Sequence, residues 1–572
     1  MSISIDPLTG IRILDATLDY SDTSEDRVLT ELERATDRSS ESDELADAMV
    51  DWPTRYHFSR MRGHLIQPLV LKAGIEVLDV GCGTGAITRA FGERGAQVLG
   101  IEGALPRARA AALRCADLEN VEIVCGDISH LETNKTFDLV CLVGVLEYAA
   151  TSIGGKHGPE SLLKHLRKLV KPGGALLVAI ENQIGLKYLL GYREDHVALP
   201  WAGLEDYAEG FGARTWSRRQ LGNLLDTAGF DEQRWLFPFP DYKLPSVILS
   251  EGAYQLDNSS ELVDQVVRLP VQDYAFPRTI LTDDRRVHNV FLNAGLGPDV
   301  ANSFLVLASS DNHTLDELVD PMSLAWIVGG ERRAQWKRTQ VVVSRNNGLR
   351  VTARPNSGDQ ENRKDRWLTQ VPVRDDPWHR GPTLEQIAIE SCHTRDEQGL
   401  ATALKQWTLC LTKAQVQASE HAMSHPYSPS PGAPALPDDM LDVSLSNFVL
   451  SDEGIVFVDR EWHVEGGVDP GLAGLRALWF FALDLVNGGA RHPWPDTLTV
   501  DDMSREMAAL CGFPAQLDDL NRMYRAEAEL QSLVIGFNQE RVTRDLRNSG
   551  QNTLKNPNAA CPTRWTHLHE FP

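Results

Sequence analysis

The sequence has few cysteines, and they are not arranged as a disulfide framework or a zinc site. Eight occur among 572 residues, with no C-x-x-C pair and no Cys/His spacing of the kind that binds zinc. Stable disulfides are rare in reducing compartments, so this usage predicts a cytoplasmic protein.

Long apolar runs are also missing. The run Leu475–Leu485 is interrupted by Arg476 and Asp484, and no segment reaches the roughly 18–20 apolar residues that a membrane span needs. The first ten residues lack a basic region followed by an apolar core, so no signal peptide is expected. The sequence predicts no membrane span.

Positive charge is scarce. The chain has 56 Lys and Arg against 80 Asp and Glu, a net charge of −24, and no block of basic residues offsets it. Phosphate backbones and anionic membranes repel such a chain, which argues against nucleic acid as a partner. The remaining composition is ordinary for a globular protein, and the length suits two to four domains of about 100–200 residues each.

Hydrophobic patterns divide the chain into regions. An acidic leader (1–45) is expected to hold one or two loosely attached helices. From about 50 to 250, short apolar runs alternate with helical patterns, which predicts a parallel α/β sheet. The predicted strands of this region are Glu76–Val80, Gln97–Glu102, Val121–Val124, Phe137–Val143 and Ala175–Ile180.

After residue 300 the pattern changes. Residues 383–420 and the chain from about 471 onward have helical patterns. The strand-like runs of this part are Phe304–Ala308, Val341–Ser344, Leu349–Ala353, Phe448–Leu450 and Ile455–Val458.

A glycine-rich segment carries the strongest chemical signal. In I-E-V-L-D-V-G-C-G-T-G, an apolar strand ends at Asp79, and Gly81, Gly83 and Gly85 precede a predicted helix. Glycines permit positive φ and a close approach of backbone to ligand, and the helix start presents N–H donors. The spacing is G-x-G-x-G with a preceding acid. That acid suits an amine-bearing or cationic ligand better than the pyrophosphate of a dinucleotide.

The next two predicted strands also end in carboxylates. Q-V-L-G-I-E ends at Glu102, where a carboxylate can accept both hydroxyls of a ribose. V-E-I-V-C-G-D ends at Asp127, which is placed to accept an adenine amino group. Ligands of open α/β sheets bind beyond the carboxyl ends of the strands, so these groups are expected at one site.

This series of motifs resembles the class I S-adenosylmethionine-dependent methyltransferases over about residues 50–250. The resemblance implies a Rossmann-like, seven-stranded α/β fold with S-adenosylmethionine as cofactor. Asp79–Gly85, including Cys82, would hold the amino acid part, Glu102 the ribose, and Asp127 with Ile128 the adenine. K-P-G-G at Lys171–Gly174 matches the turn before the fifth strand.

Segments after the fifth strand point to the acceptor. E-N-Q-I-G-L-K-Y begins at Glu181, and P-F-P-D-Y-K-L-P follows at 238–245. Both resemble methyltransferases of bacterial surface-polysaccharide (O-antigen) synthesis, which implies a glycan hydroxyl as acceptor. A lipid or another small molecule stays open. His196 and Glu181 are the predicted catalytic residues, since transfer to a hydroxyl benefits from a proton acceptor. An ordinary structural role for both is the alternative.

A second constellation lies near the C-terminus. L-D-V-S-L-S-N places Asp442 five residues before Asn447, and Asp459 ends an apolar strand twelve residues later. The pattern resembles the D-x-x-x-x-N…D series of kinase-like phosphotransferases, with Asp442 as catalytic residue and Asn447 and Asp459 as metal ligands. That resemblance implies ATP and Mg²⁺ as ligands, with the runs at 300–355 forming the smaller lobe.

The kinase-like pattern has clear departures. Met440 and Leu441 stand where a histidine is usual, no glycine-rich phosphate loop is evident, and Arg354 replaces the phosphate-binding lysine. Arginine keeps the charge but not the compact ammonium geometry. An active phosphotransferase, a degenerate kinase fold and a plain β-hairpin with polar turn residues all stay open.

The predicted architecture has five regions. They are a leader (1–45), a methyltransferase domain (46–250), a linker (251–300), a kinase-like domain (301–480) and a helical extension (481–572). The functional alternatives are a methyltransferase alone, a bifunctional methyltransferase–kinase, and a methyltransferase whose second half is a scaffold for glycosyltransferases. The last helices, including Met523–Ile535, could instead serve a homo-oligomer or simply pack in a core.

Overall fold

The structure is a computed structural model, and it describes most of the chain. The described residues are 4–14, 17–18, 24–131, 133–149, 157–207, 212–256, 259–267, 269, 282–346, 348–354, 361–418, 424–489 and 492–553.

Strands and helices alternate in the first half of the chain, whereas long helices dominate its end. The strands are β1 Ser4–Ile5, β2 Arg12–Ile13, β3 Glu76–Val80, β4 Gln97–Glu102, β5 Val121–Cys125, β6 Phe137–Val143, β7 Val170–Glu181, β8 Glu232–Phe239, β9 Val247–Ser250, β10 Ser303–Ser309, β11 Ser323–Ile327, β12 Gln340–Arg345, β13 Gly348–Ala353, β14 Arg363–Asp365, β15 Leu368–Gln370, β16 Asp376–Pro377, β17 Val416–Gln417, β18 Pro434–Ala435, β19 Phe448–Ser451, β20 Gly454–Phe457 and β21 Trp462–Val464.

The α-helices follow in the same chain order. They are α1 Glu25–Arg34, α2 Asp43–Asp47, α3 Trp52–Phe58, α4 Ala86–Glu93, α5 Leu105–Arg114, α6 Gly158–Arg167, α7 Leu186–Leu189, α8 Arg218–Thr227, α9 Glu251–Tyr254, α10 Ser259–Val266, α11 Asp284–Asn293, α12 Asn312–Leu318, α13 Leu384–Thr394, α14 Glu397–Ala414, α15 Pro470–Gly488, α16 Val500–Leu510, α17 Leu517–Val534 and α18 Gln539–Gly550. The 3₁₀ turns are Arg60–Ile66, Ile128–His130, Leu146–Tyr148, Pro298–Val300, Ala334–Trp336 and Leu445–Asn447.

The chain divides into two compact units. Unit 1 comprises Met1–Asp257 and Phe291–Ala334, and unit 2 comprises Asn258–Val290 and Gln335–Pro572. This division differs from the predicted regions. The segment expected to be a linker (251–300) contains helices and is shared between both units.

Unit 1 contains a mixed sheet with a parallel centre. Its described strands pair in the order β1-β2-β5-β4-β3-β6-β7-β10-β8-β9-β11. Strands β5, β4, β3, β6 and β7 run parallel, and β10 pairs antiparallel with both β7 and β8. The five predicted strands of this region are thus confirmed, and the α/β Rossmann-like fold with them.

Strand β10 corrects one prediction. Phe304–Ala308 was expected in the smaller lobe of a kinase-like domain, but Ser303–Ser309 lies inside the unit 1 sheet, and every residue of it is buried. A fully buried strand with an apolar middle and a paired neighbour on each edge belongs in a sheet centre. The kinase-like domain therefore does not begin at residue 301.

The predicted leader is also part of unit 1. Strand β2 pairs parallel with β5, and Asp6 forms a salt bridge of 2.6 Å with Arg109 on α5. Helix α1 buries Val28 and Leu32 completely. The apolar residues of this helix lie four positions apart and share one face, so the helix is more firmly packed than the acidic composition of the leader predicted.

Unit 2 combines short β-hairpins with long helices. Strands β12 and β13 pair antiparallel, as do β19 and β20. Helix α15 begins at the N-cap Asp469 and ends at Gly489 in the left-handed conformation. Its Trp479 packs edge-to-face on Tyr524 of α17, within one core that also holds Trp407.

The predicted helical extension (481–572) is accordingly not separate, because α15 crosses its boundary and α16, α17 and α18 share the unit 2 core. Met523 and Tyr524 are buried there, which favours core packing over a partner surface for Met523–Ile535. Among the described residues, no helix is both long and apolar enough to cross a membrane.

Candidate functional site

Carboxylates from five neighbouring strands meet at one edge of the unit 1 sheet. Asp79 lies in β3, and Glu102 and Glu181 are the last residues of β4 and β7. Asp127 follows β5, and Glu147 follows β6. The strands are parallel, so their carboxyl ends lie together, which is where open α/β sheets bind ligands. A cavity of about 610 Å³ opens at this edge.

The glycine motif forms the tight turn between β3 and α4. Gly81, Gly83 and Gly85 all have positive φ, at 71°, 59° and 81°. A Cβ on Gly81 would also lie 2.5 Å from Val145 Cγ2. Glycine is required here both by backbone conformation and by space. Gly85 is the N-cap residue of α4, as the motif predicted.

Asp79 lies beside the glycine turn, and the buried guanidinium group of Arg62 is near it. Burial raises its pKa to about 6, and Thr88 Oγ1 donates a 2.6 Å hydrogen bond to Oδ2. A small cavity of about 60 Å³ is lined by Asp79, Cys82, Gly83 and Arg62, among others. Arg62 packs on the Tyr56 ring, and its buried Nε has no hydrogen-bond partner among the described residues. A carboxylate and a guanidinium there suit the amino and carboxylate groups of a free amino acid moiety.

Glu102 and Asp127 line the larger cavity. Backbone N–H groups of Gly83 and Ala104 donate to the two oxygens of Glu102 at 2.8 and 2.9 Å. Ser129 donates to Asp127 Oδ1 through its N–H and its hydroxyl. Ile128 is buried beside them and contributes an apolar wall. These bonds fix the orientation of both carboxylates, and their contacts with ribose and adenine stay predictions.

The same cavity contains a second cluster, formed by Glu147, Glu181 and His196. His196 Nε2 lies 3.6 Å from Glu147 Oε1 and 3.8 Å from Glu181 Oε2. Its Nδ1 lies 2.8 Å from Glu194 Oε1. The ring packs edge-to-face on Tyr148 at 5.6 Å. The structure thus brings the predicted His196 and Glu181 together.

Two lysines neutralise part of this cluster. Lys243 donates to Glu181 Oε1 and, at 2.7 Å, to Asp195 Oδ2, which also accepts from Lys187 at 2.7 Å. Asp241 lies 3.7 Å from the Lys187 ammonium group. Burial disfavours the charged form of Lys243, but the carboxylates of Asp195 and Glu181 outweigh it and raise its pKa.

The protonation states follow from these neighbours. Burial raises the pKa of Glu181, against the opposing charge of Lys243. Burial alone would lower the pKa of His196, but Glu181, Glu147 and Glu194 raise it well above its usual value. These three carboxylates therefore favour the protonated form of the His196 ring. The proton-accepting groups that face the cavity are the two carboxylates, so the role of His196 as base stays a prediction.

Sequence reasoning missed four residues of this site. Glu147 follows β6, and the rule that found Glu102 and Asp127 at strand ends could have found it. Glu194 lies two residues before His196 in Y-R-E-D-H. Arg62 and Tyr56 precede the first predicted strand, and only the folded chain brings them to the glycine turn.

The predicted kinase-like residues lie in unit 2. Asn447 Nδ2 donates to the backbone carbonyl of Asp442 at 3.0 Å, just before the β19–β20 hairpin. Asp442 Oδ1 accepts from Arg476 at 2.9 Å and from Ser444. Asp459 has a left-handed φ of 56°.

The predicted metal ligands here are Asn447 and Asp459, with Asp442 as the predicted catalytic residue. Among the described residues, no group of three His, Cys, Asp or Glu side chains with ligand atoms within 4.8 Å of one another includes Asp442 or Asp459. The roles of these three residues, and Mg²⁺ and ATP as their ligands, stay predictions.

The similarity to known proteins lies in a segment of unit 1. Residues 54–233 match the family model of a methyltransferase domain. Ubiquinone biosynthesis O-methyltransferases are similar. That of Idiomarina loihiensis is 31% identical over 131 residues, 22% of this chain and 51% of that protein. The protein of Pseudomonas entomophila is 33% identical over 134 residues, and the match covers 23% of this chain and 54% of that protein. The chain thus spans about half the length of the curated relatives it matches.

Several solved structures that resemble this chain at low TM-scores are named as methyltransferases or putative methyltransferases. One from Haloferax volcanii, in complex with the Trm112 methyltransferase activator, is 19% identical and covers 46% of this chain and 95% of its own, with a TM-score of 0.28. An S-adenosylmethionine-dependent methyltransferase of Thermotoga maritima is 17% identical, with a TM-score of 0.26. The match covers 50% of this chain and 100% of that one. The matched region of this chain is a class I S-adenosylmethionine-dependent methyltransferase domain.

Proposed function

We propose that this protein transfers a methyl group from S-adenosylmethionine to a hydroxyl oxygen of a polar acceptor, a glycan or sugar-linked molecule. One observation carries the proposal. Gly81, Glu102 and Asp127 line the same cavity as Glu147 and Glu181. Cofactor and acceptor groups would therefore meet in one cavity.

The residues present fit the cofactor. Asp79 and Arg62 would hold its amino and carboxylate groups, Glu102 its ribose hydroxyls, and Asp127 with Ile128 its adenine. S-Adenosylmethionine, when bound, supplies an electrophilic methyl group on a positively charged sulfur. The excess negative charge of the opposite cluster complements that charge.

At the acceptor end, the chain's own groups orient a hydroxyl and accept its proton. Glu147 and Glu181 each present a buried carboxylate to the cavity, and Glu194 fixes the ring of His196 between them. Such positioning lowers the activation barrier by several kcal/mol, and by up to about 7–11 kcal/mol in the most favourable cases. General base assistance adds roughly 10²–10⁴-fold in rate.

The charged lining supports a hydroxyl-rich acceptor. Hydrogen bonds that a sugar ring can use are available from Lys243, Asp195 and His196. Flat apolar faces are available from the rings of Tyr148 and Tyr242. A phenolic acceptor is a second candidate, because the relatives are named as ubiquinone O-methyltransferases and Trp52 and Tyr56 also line the cavity. A panel of sugar and phenolic acceptors with methyl-labelled cofactor separates the two.

Binding of the cofactor is the first test. Calorimetry on the full chain should show saturable S-adenosylmethionine binding that Gly81→Arg and Asp127→Ala abolish or strongly weaken. Glu160→Gln, on the exposed surface of α6, is the matched control and should bind like the wild type. Equal affinity of all three variants would contradict the assigned site.

For unit 2, we infer a non-catalytic role rather than phosphotransfer. The carboxylate predicted to be catalytic, Asp442, is engaged by Arg476 and Ser444. The bifunctional alternative requires Mg²⁺-ATP binding that Asp459→Asn weakens, and calorimetry with both proteins tests it. Saturable binding in the wild type that this variant loses would favour the bifunctional enzyme instead.

A further inference from the structure

The acceptor-side cluster has distances that hydrogen bonds do not explain. His196 Nε2 lies 3.6 Å from Glu147 Oε1 and 3.8 Å from Glu181 Oε2. A good N–H···O bond is about 2.7–3.2 Å between heavy atoms, so neither pair is one. Two ligand atoms about 2.1 Å from the same ion lie roughly 3 to 4 Å apart. The three side chains each offer one ligand atom within 4.8 Å of the others, a spacing that fits ligands of one ion.

Two buried oxygens of this cluster make no hydrogen bond within the part of the chain that the structure describes. Glu147 and Glu181 are 1% and 0% exposed. The Oε2 atom of each has no hydrogen bond among the described residues. Both residues line the cavity. A buried carboxylate oxygen without a partner costs free energy unless something occupies the space in front of it.

The charges around the cluster favour a cation. Five carboxylates lie within its ion-pair network, against two ammonium groups and the ring of His196, so negative charge stays in excess even when the ring is protonated. The carboxylates are Glu147, Glu181, Glu194, Asp195 and Asp241, and the ammonium groups are those of Lys187 and Lys243. Lys243 engages Glu181 through Oε1, which leaves Oε2 of that residue for another ligand.

The histidine is held as metal-binding histidines usually are. Glu194 Oε1 lies 2.8 Å from His196 Nδ1. A carboxylate can only accept, so Nδ1 carries the hydrogen and Nε2 faces the cavity. Metal-ligating histidines almost always donate their other N–H to such a carboxylate or carbonyl, which fixes the ring and the tautomer.

We propose that Glu147, Glu181 and His196 bind one divalent cation, and that oxygens of the acceptor complete its coordination. The cation site stands on the geometry alone, whereas the role of the acceptor rests on the proposed methyl transfer. With the ion bound, His196 would be a ligand through Nε2 after the proton of that nitrogen is released to solvent. Direct coordination would acidify the acceptor hydroxyl, whose proton would pass to the carboxylate oxygen of Glu147 that does not bind the ion. Carboxylate and imidazole donors together suit Mn²⁺ or Mg²⁺, and Zn²⁺ less well because carboxylates predominate.

The site also narrows the acceptor class. An ion with three protein ligands and octahedral preference keeps open positions on the cavity side. Two oxygens on neighbouring atoms of the acceptor, as in a vicinal diol, can occupy two of them. We therefore expect acceptors with such a pair to be methylated, and the corresponding monodeoxy compounds to be poor.

Mn²⁺ alone is the probe for the site. Titration of the metal-free full chain, followed by the electron paramagnetic resonance signal of free Mn²⁺, should show one saturable site. Glu147→Gln and Glu181→Gln should each weaken it by roughly 100-fold or more, and Glu194→Gln by about 10–100-fold. Glu147→Gln breaks no lysine pair, so it guards against misfolding of the Glu181 variant. Glu160→Gln is the matched control and should match the wild type.

Two results would overturn the cation site: no saturable Mn²⁺ binding by the wild type, or equal binding by Glu147→Gln and Glu181→Gln. Asp127→Asn separates the site from the proposed function, because it should weaken S-adenosylmethionine binding and leave Mn²⁺ binding unchanged. Methyl transfer that persists undiminished after removal of metals with EDTA would refute the cation while supporting the methyltransferase. Mn²⁺ binding without methyl transfer to any hydroxyl acceptor would do the reverse.

Discussion

Glu194 holds His196 by a 2.8 Å contact between its Oε1 and the Nδ1 atom of the ring, and it also accepts from the backbone N–H groups of His196 and Val197. Burial alone would raise the pKa of Glu194, but the hydrogen bond from His196, and after it the charge of that ring, lower it. One carboxylate thus fixes both the loop and the ring that faces the cavity.

Glu194→Ala should therefore reduce methyl transfer without affecting the cofactor. The ring loses its orientation, and we expect kcat to fall by roughly 100-fold. The affinity for S-adenosylmethionine, measured by calorimetry, should stay unchanged, because Glu194 lies outside the cofactor end. A fall in cofactor affinity as large as the fall in kcat would mean a general structural role instead.

Arg62 should recognise the carboxylate of the cofactor. Arg62→Met is expected to weaken S-adenosylmethionine binding by roughly 10-fold or more, since a charge-assisted hydrogen bond is worth about 1.5–3 kcal/mol. Decarboxylated S-adenosylmethionine provides the control. Wild type should prefer the intact cofactor, whereas Arg62→Met should bind both compounds with similar affinity. An unchanged preference in the variant would place the carboxylate elsewhere.

Gly81→Ala should destabilise unit 1 more than a glycine change in open space. Both Gly81 and Gly95 have positive φ. Alanine at either position should therefore lower the free energy of unfolding by about 1–2 kcal/mol. At Gly81 the new Cβ also meets Val145, whereas at Gly95 nothing lies within 4 Å. Chemical denaturation should show the larger loss for Gly81→Ala, together with weaker cofactor binding. Equal losses would show that Val145 moves aside.

The salt bridge of Asp6 and Arg109 should make stability depend on acid pH. The hydrogen bond from Arg109 lowers the pKa of Asp6 to about 2. Its contribution is therefore present above the usual carboxyl pKa, near 4, and is lost as the pH falls toward 2. The difference in unfolding free energy between wild type and Asp6→Asn should shrink over this window. A constant difference would mean that the N-terminal strand is not held by this pair.

The pair of Asp442 and Arg476 should be structural. Arg476 also donates to Glu527 at 2.6 Å, and Tyr427 donates to the same carboxylate. Removing one partner of a buried ion pair costs about 3–5 kcal/mol, so Arg476→Met should destabilise unit 2 by that order. Asp442→Asn should likewise lower the free energy of unfolding. A stable Asp442→Asn protein that loses phosphotransfer would instead support the active kinase.

The local sequence predicted the cofactor half of the site. Strand ends at Asp79, Glu102 and Asp127 are visible because each follows an apolar run with a turn signal, and consecutive parallel strands place such ends together. The glycine motif adds a turn that other residues cannot form. These features depend on short segments, so the chain itself determines them.

Tertiary structure decided the rest. The partners of β10 are separated from it by more than sixty residues, and no local pattern says that Ser303–Ser309 enters the unit 1 sheet rather than a second domain. Glu147, Glu181, His196 and Lys243 come from four separate segments, and the electrostatic coupling that fixes their charges exists once folding brings them together. Sequence determined which strands form and which strand ends carry carboxylates, whereas the packing of distant segments decided which charged groups meet around His196, because that cluster depends on distances between side chains that are far apart along the chain.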